Sequence, residues 1–167
     1  MQKDIDIIIY GATGFTGKLC VKYFQSLDTT VTWAMAGRNL IKLEKVAKEN
    51  QTNVEILIAD SDDEKALDNL TSRARVILST TGPFHRYGSK LVASCIKNHT
   101  HYVDITGENF WVKGLIEKHH KEASAKGIRI IPSCGFDSIP SDLGTFFAAK
   151  ALSQPIKRIE SFHSYQG

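Results

Sequence analysis

Two hydrophobic rhythms alternate along this chain. Residues 5–10 are a short run rich in β-branched side chains closed by Gly11, which predicts a buried strand. Phe15, Leu19, Tyr23 and Leu27 then recur every four residues, predicting a helix whose stripe lies on a sheet. Residues 31–36 predict a second strand ended by Gly37, and Leu43, Val46 and Ala47 give the next helix its apolar face. Residues 54–59 predict a third strand, followed by a helix that starts in the capping and acidic run Ser61-Asp62-Asp63-Glu64. Residues 76–80 predict the fourth strand, broken by Thr81-Gly82-Pro83, and Leu91, Val92, Cys95 and Ile96 mark a helix. Residues 102–105 predict a fifth strand ending at Thr106-Gly107; Trp111, Val112, Leu115, Ile116 and His119 form another stripe, with Gly127 as its stop. Residues 128–131 predict a sixth strand, after which Pro140 and Ser141 open a last helix with Leu143, Phe146 and Phe147 facing inward.

Such alternation predicts an α/β fold: a doubly wound, mostly parallel sheet with helices on both faces, the Rossmann arrangement. The chain is too short for a complete eight-fold barrel. After Pro155, residues 156–162 read as a seventh strand with no helix to cover it. Residues 1–153 are therefore expected to be one domain and 154–167 the beginning of a second.

Composition narrows the class without choosing a function. The 167 residues are 42% hydrophobic and 23% charged, as in ordinary globular proteins, and a net charge of +3 is too balanced to argue for nucleic acid or an anionic membrane. Cys20, Cys95 and Cys134 are odd in number and far apart, which suggests neither a disulfide framework nor a zinc site and fits a reducing compartment. Met1-Gln2-Lys3-Asp4 leads into an apolar run too short for a secretory signal, and no segment has the length of a membrane span. A soluble, cytoplasmic protein is expected.

Gly11-Ala12-Thr13-Gly14-Phe15-Thr16-Gly17 follows a strand and opens a helix. Glycines in that setting permit a tight turn, close approach of backbone to a pyrophosphate, and close helix–strand packing. The helix N-terminus adds free N–H groups and partial positive charge. The spacing is G-x-x-G-x-x-G rather than G-x-G-x-x-G, and a purely structural turn is the alternative reading. At the end of the second strand, Ala36-Gly37-Arg38-Asn39 lacks the acid that would bond a ribose 2′-hydroxyl, while Arg38 suits a 2′-phosphate. NADP(H) is thus expected over NAD(H), unless Arg38 is merely a solvated arginine. Asp60 could meet the adenine amino group or cap the following helix, and Thr81, Gly82 and Pro83 could wall the ribose or nicotinamide or simply end a strand.

Other chemistries lack their residues. Tyr87-Gly88-Ser89-Lys90 is one residue short of the Tyr-x-x-x-Lys of short-chain dehydrogenases and reads as a loop. His-Glu-x-x-His and Gly-x-Ser-x-Gly are missing; His99, His101, His119 and His120 read as surface or half-buried residues, and Cys134 as a spectator thiol.

Longer blocks carry a family likeness: Tyr10–Gly17, Ala36-Gly37-Arg38, Thr81-Gly82-Pro83-Phe84 with Tyr87-Gly88, residues 102–108, and residues 134–144. In these the sequence resembles the N-terminal domain of the saccharopine dehydrogenase-like oxidoreductases, a family that also includes trans-acting enoyl reductases. The resemblance implies hydride transfer between a nicotinamide cofactor and a small or lipid-like substrate held against a second domain. Tyr87, Asp104, Glu108, Asp137 and Ser138 are the candidates for catalysis, and each could equally cap a helix or tie down a loop. A regulatory module that binds NADP(H) without chemistry is the alternative function, and a homodimer is left open.

Overall fold

The computed structural model describes residues 3–153, 155–162 and 164. The elements run β1 (Ile5–Tyr10), α1 (Phe15–Ser26), β2 (Trp33–Gly37), α2 (Leu40–Glu49), β3 (Glu55–Ile58), α3 (Glu64–Arg73), β4 (Ala74–Ser79), α4 (Phe84–Lys97), β5 (His101–Asp104), α5 (Asn109–Ala125), β6 (Ile130–Ile131) and α6 (Ile139–Ala151). All six strands form one sheet in the order β3-β2-β1-β4-β5-β6, with every pairing parallel. The chain reverses direction across the sheet between β1 and β4, which is the switch point where such sheets bind ligands.

Alternation along the central strands builds a core on each face. Ile8, Tyr10, Ala34, Ala36, Ile77 and Tyr102 point to one side, where Leu67 and Leu70 of α3, Leu91, Val92, Cys95 and Ile96 of α4, and Trp111 and Leu115 of α5 cover them. Ile9 and Met35 point to the other, under Val21 of α1 and Leu43 and Val46 of α2. The caps follow their side chains: Asn39 Oδ1 accepts from the Lys42 amide, Asp63 Oδ1 from the Ala66 amide, and Gly127 at φ +66° follows the end of α5.

Three expectations need correction. First, the stripe of α1 faces solvent: Phe15 is 85% exposed and Leu19 53%, with Tyr23 and Leu27 also exposed. The buried face carries Gly17 and Val21, with Cys20 and Phe24 packed against them. The cause lies at Gly17, where a Cβ would stand 2.2 Å from the Gly11 carbonyl oxygen. That backbone contact fixes the rotation of the helix and turns Phe15, two residues away, to the opposite side. Accordingly, Leu19→Gln should change stability by less than about 0.5 kcal/mol and Val21→Ala should cost about 2 kcal/mol, as measured by urea unfolding.

Second, no residue of α6 is buried, and Leu143, Phe146 and Phe147 are all exposed. An apolar face is buried only when another element covers it; here Phe146 and Phe147 pack edge to face on each other instead. Third, no strand forms among described residues 155–162, since alternation without a ladder partner makes none. Gln154, His163, Tyr165, Gln166 and Gly167, which belong to the expected start of a second domain, lie outside the described residues, as do Met1 and Gln2. Strand limits shift by one or two residues elsewhere: β4 begins at Ala74, and β6 is only Ile130–Ile131. No helix among the described residues is long and apolar enough to cross a membrane.

Candidate dinucleotide-binding site

The backbone of the first turn is set by two contacts. The amides of Gly11 and Ala12 donate to the Ala36 carbonyl, and the Gly14 amide donates back to the Gly11 carbonyl. Gly11 has φ +87°, and a Cβ there would meet Thr81 Oγ1 at 2.3 Å, so only glycine lets the β1 turn lie against the β4 turn. From the other side, the Thr80 amide donates to the Tyr10 carbonyl at 2.9 Å, stitching the ends of β1 and β4 together.

Between these ends opens a cleft of about 380 Å³. Tyr10, Gly11, Thr13, Gly14, Gly37, Arg38, Ser61, Thr80, Thr81, Gly82, Pro83 and Tyr87 line it. Of the expected cofactor residues, the structure thus brings together Gly11, Thr13, Gly14, Arg38, Thr81, Gly82 and Pro83. Phe15, Thr16, Gly17, Asn39 and Asp60 are not on its wall: Gly17 is the packing contact already described, Phe15 faces solvent, and Asn39 caps α2. Asp60 accepts from the Asp62 amide at 2.9 Å in a local turn, so the cap of α3 is Asp63 rather than Asp60.

The residues present fit a dinucleotide. Helix α1 follows Gly14 as its N-cap, with no capping side chain and no acid in its first turn, whereas α2 and α3 are both capped by their N-cap side chains. Uncapped N–H groups at a helix start suit a phosphate. The Thr81 hydroxyl is buried in the cleft wall with no hydrogen-bond partner, which is costly unless a ligand supplies one. Tyr10 forms part of the lining; its hydroxyl donates to the Ala59 carbonyl at 3.3 Å, and burial pushes its ionisation far up, so it stays neutral.

The five catalytic candidates separate. Tyr87 lines the cleft, with the Arg86 guanidinium 5.3 Å from its ring centroid. It sits in the first turns of α4, so the Tyr87–Lys90 segment is helical rather than a loop. Asp104 is 1% exposed: Oδ2 accepts from the Tyr102 hydroxyl at 2.9 Å, and Oδ1 accepts from the amides of Thr106 at 3.0 Å and Ser133 at 2.9 Å. Burial, only partly offset by these bonds, raises its carboxyl above the usual aspartate range. Its role here is to fasten the loops after β5 and β6. The Glu108 carboxylate accepts from the amides of Phe84 at 2.8 Å and His85 at 2.9 Å, capping α4 from outside that helix. Asp137 is exposed, and Ser138 stands at the start of α6 without a side-chain capping bond. Cys134 is half-buried, its thiol 3.2 Å from the Ile131 carbonyl, and burial raises its ionisation. His119 is buried under α5 rather than at the surface.

Reasoning from sequence missed Tyr10, Gly37, Ser61 and Thr80 as lining residues. Thr80 had a legible signal in the polar run after β4; Ser61 and Tyr10 reach the cleft only through the packing of β3 and β1.

The family model for the saccharopine dehydrogenase NADP-binding domain matches residues 7–131. This chain belongs to that family. Its fold and cleft are those of a nicotinamide dinucleotide-binding domain. It is 41% identical over 148 residues to trans-acting enoyl reductases of Mycobacterium leprae and Mycobacterium tuberculosis strain H37Rv, covering 87% of this chain and 35% of theirs. A Caenorhabditis elegans lipid droplet localized protein is 34% identical over 166 residues, covering 94% of this chain and 39% of its own. The chain thus spans little more than a third of the length of these relatives. Among solved structures, apo saccharopine dehydrogenase (L-Glu forming) from Saccharomyces cerevisiae has a TM-score of 0.73 at 19% identity, over 88% of this chain and 31% of that one. That likeness concerns the fold.

Proposed function

We propose that this domain holds NADP(H) for an oxidoreductase that reduces a lipid-like, enoyl-type substrate. The observation carrying the cofactor choice is Arg38, which lines the cleft beside Gly37 and Ser61 at the ends of β2 and β3, with no acid in the turn after β2. A 2′-phosphate there would gain a charge-assisted pair with the guanidinium, whereas a 2′-hydroxyl finds no carboxylate at that turn. Gly11, Thr13 and Gly14 with the start of α1 would hold the pyrophosphate, and Thr81, Gly82 and Pro83 would wall the second ribose. When bound, the cofactor supplies the hydride; the protein orients it and keeps water from one side.

The lipid-like substrate is supported by the mycobacterial and nematode relatives. A further domain presenting that substrate is supported by the greater length of those relatives and by the exposed apolar side chains Leu143, Phe146 and Phe147 on α6. Arg38→Asp is expected to weaken NADPH binding by roughly 10- to 100-fold while NADH binding holds or improves. Titration followed by nicotinamide fluorescence checks this, and equal loss of both cofactors would remove the 2′-phosphate role.

A further inference from the structure

Immediately beyond the β4 wall of the cleft, two titratable side chains meet outside the lining residues. His85, the second residue of α4, places Nδ1 2.6 Å from Glu108 Oε2, and its ring lies 5.5 Å from that of Phe110. Burial alone would raise the Glu108 carboxyl, but the bonds from the His85 amide, the His85 ring and the Phe84 amide outweigh it and hold the carboxyl below its usual range. An ionised carboxylate only accepts, so Nδ1 must carry the proton in that bond. In the neutral ring, Nε2 is therefore left as a free lone pair on a half-exposed side chain.

Strand order places this pair relative to the cofactor. On the cofactor reading above, the adenosine end would lie at β2 and β3, where Arg38 and Ser61 line the cleft, and the pyrophosphate at β1. A dinucleotide laid across the switch point then runs past β4 towards β5. His85 follows the β4 turn and Glu108 follows β5, so the pair stands on the nicotinamide side.

We propose that His85, oriented by Glu108, is the proton-carrying residue of the nicotinamide half-site, an inference that rests on the cofactor reading above. In reduction of a carbon–carbon double bond, hydride from the reduced dinucleotide forms a C–H bond at one carbon. The π-electron pair takes the proton from Nε2 of the imidazolium at the other carbon. The dinucleotide leaves oxidised, and solvent returns the proton to Nε2. Glu108 is a positioning residue: it sets the tautomer and anchors the ring on α4.

The test is ¹⁵N NMR of the histidine rings in the full chain. The neutral His85 ring should show a protonated Nδ1 and a bare Nε2, and Glu108→Gln should erode that preference. Saturating NADP⁺ should then shift the His85 ring signals, whereas adenosine 2′,5′-bisphosphate, which lacks the nicotinamide, should leave them in place while moving the Arg38 and Gly14 amides. A wild-type ring protonated at Nε2 overturns the proposal without needing any variant. So does a His85 ring silent to NADP⁺ while the Gly14 amide responds. If neither compound moves the Gly14 amide, the cofactor reading itself fails, and the proposal falls with it.

Discussion

Gly17→Ala is expected to destabilise the protein by about 3 kcal/mol and to abolish dinucleotide binding. An alanine Cβ would stand 2.2 Å from the Gly11 carbonyl oxygen and 2.8 Å from Ala12 Cα. Both are backbone atoms of the turn, so no side-chain rotation relieves the overlap. Helix α1 must move outwards, which opens the core over Val21, Ile9 and Met35 and withdraws the helix N-terminus from the proposed phosphate position. For a chain of this size the melting temperature should fall by roughly 6–12 °C. Gly114→Ala is the control: within α5 its Cβ would meet nothing within 4 Å. It should stabilise by about 0.5–1 kcal/mol through helix propensity. Calorimetry of both variants checks the pair, and a Gly17→Ala protein that melts like wild type would refute the close approach.

The second large effect belongs to Asp104. Asp104→Ala removes the acceptor for three donors, the Tyr102 hydroxyl and the amides of Thr106 and Ser133, and should cost about 3–5 kcal/mol. Asp104→Asn retains the oxygen that serves both amides and should stay close to wild type. The two variants also differ in their dependence on pH. Asp104 has a folded-state pKa raised above its unfolded value, so its favourable contribution is complete below the ordinary aspartate range. It is lost as pH rises through the elevated folded value. Asparagine does not titrate, so the stability of Asp104→Asn relative to wild type should rise across that interval and level off above it. Urea unfolding from pH 4 to pH 8 reads this directly. Retained NADPH binding in Asp104→Asn would fit a loop fastener, and an Asp104→Ala protein as stable as wild type would exclude that role.

Much of the architecture was legible in the residue pattern because strands buried on both faces are continuous apolar runs and their helices need one apolar stripe. For α2 and α4 the stripe and the buried face coincide, with Leu43 and Val46, and Leu91, Val92, Cys95 and Ile96, all buried; in α5 Trp111, Leu115 and His119 are buried, but Ile116 of the same expected stripe is exposed. For α1 and α6 they do not, and each failure has its own cause. In α1 a glycine contact outranked four large side chains in choosing the face. In α6 the apolar side chains expected to face inward are exposed, because no strand or helix of the sheet layers covers them among the described residues.

The candidate site divides in the same way. The glycine spacing after β1 and Arg38 after β2 are local signals, because each depends on a turn made by consecutive residues. The assignments of Asp104 and Glu108 depended on which amides lie within reach across the chain: Ser133 is 29 residues from Asp104, and His85 is 23 from Glu108. Sequence by itself therefore determined the order of elements, the parallel sheet and the glycine turn after β1, since periodicity and glycine conformation are properties of short stretches. Tertiary structure alone decided which face of α1 is buried, which carboxylates fasten loops, and that His85 meets Glu108, because these follow from distances between segments far apart in the chain.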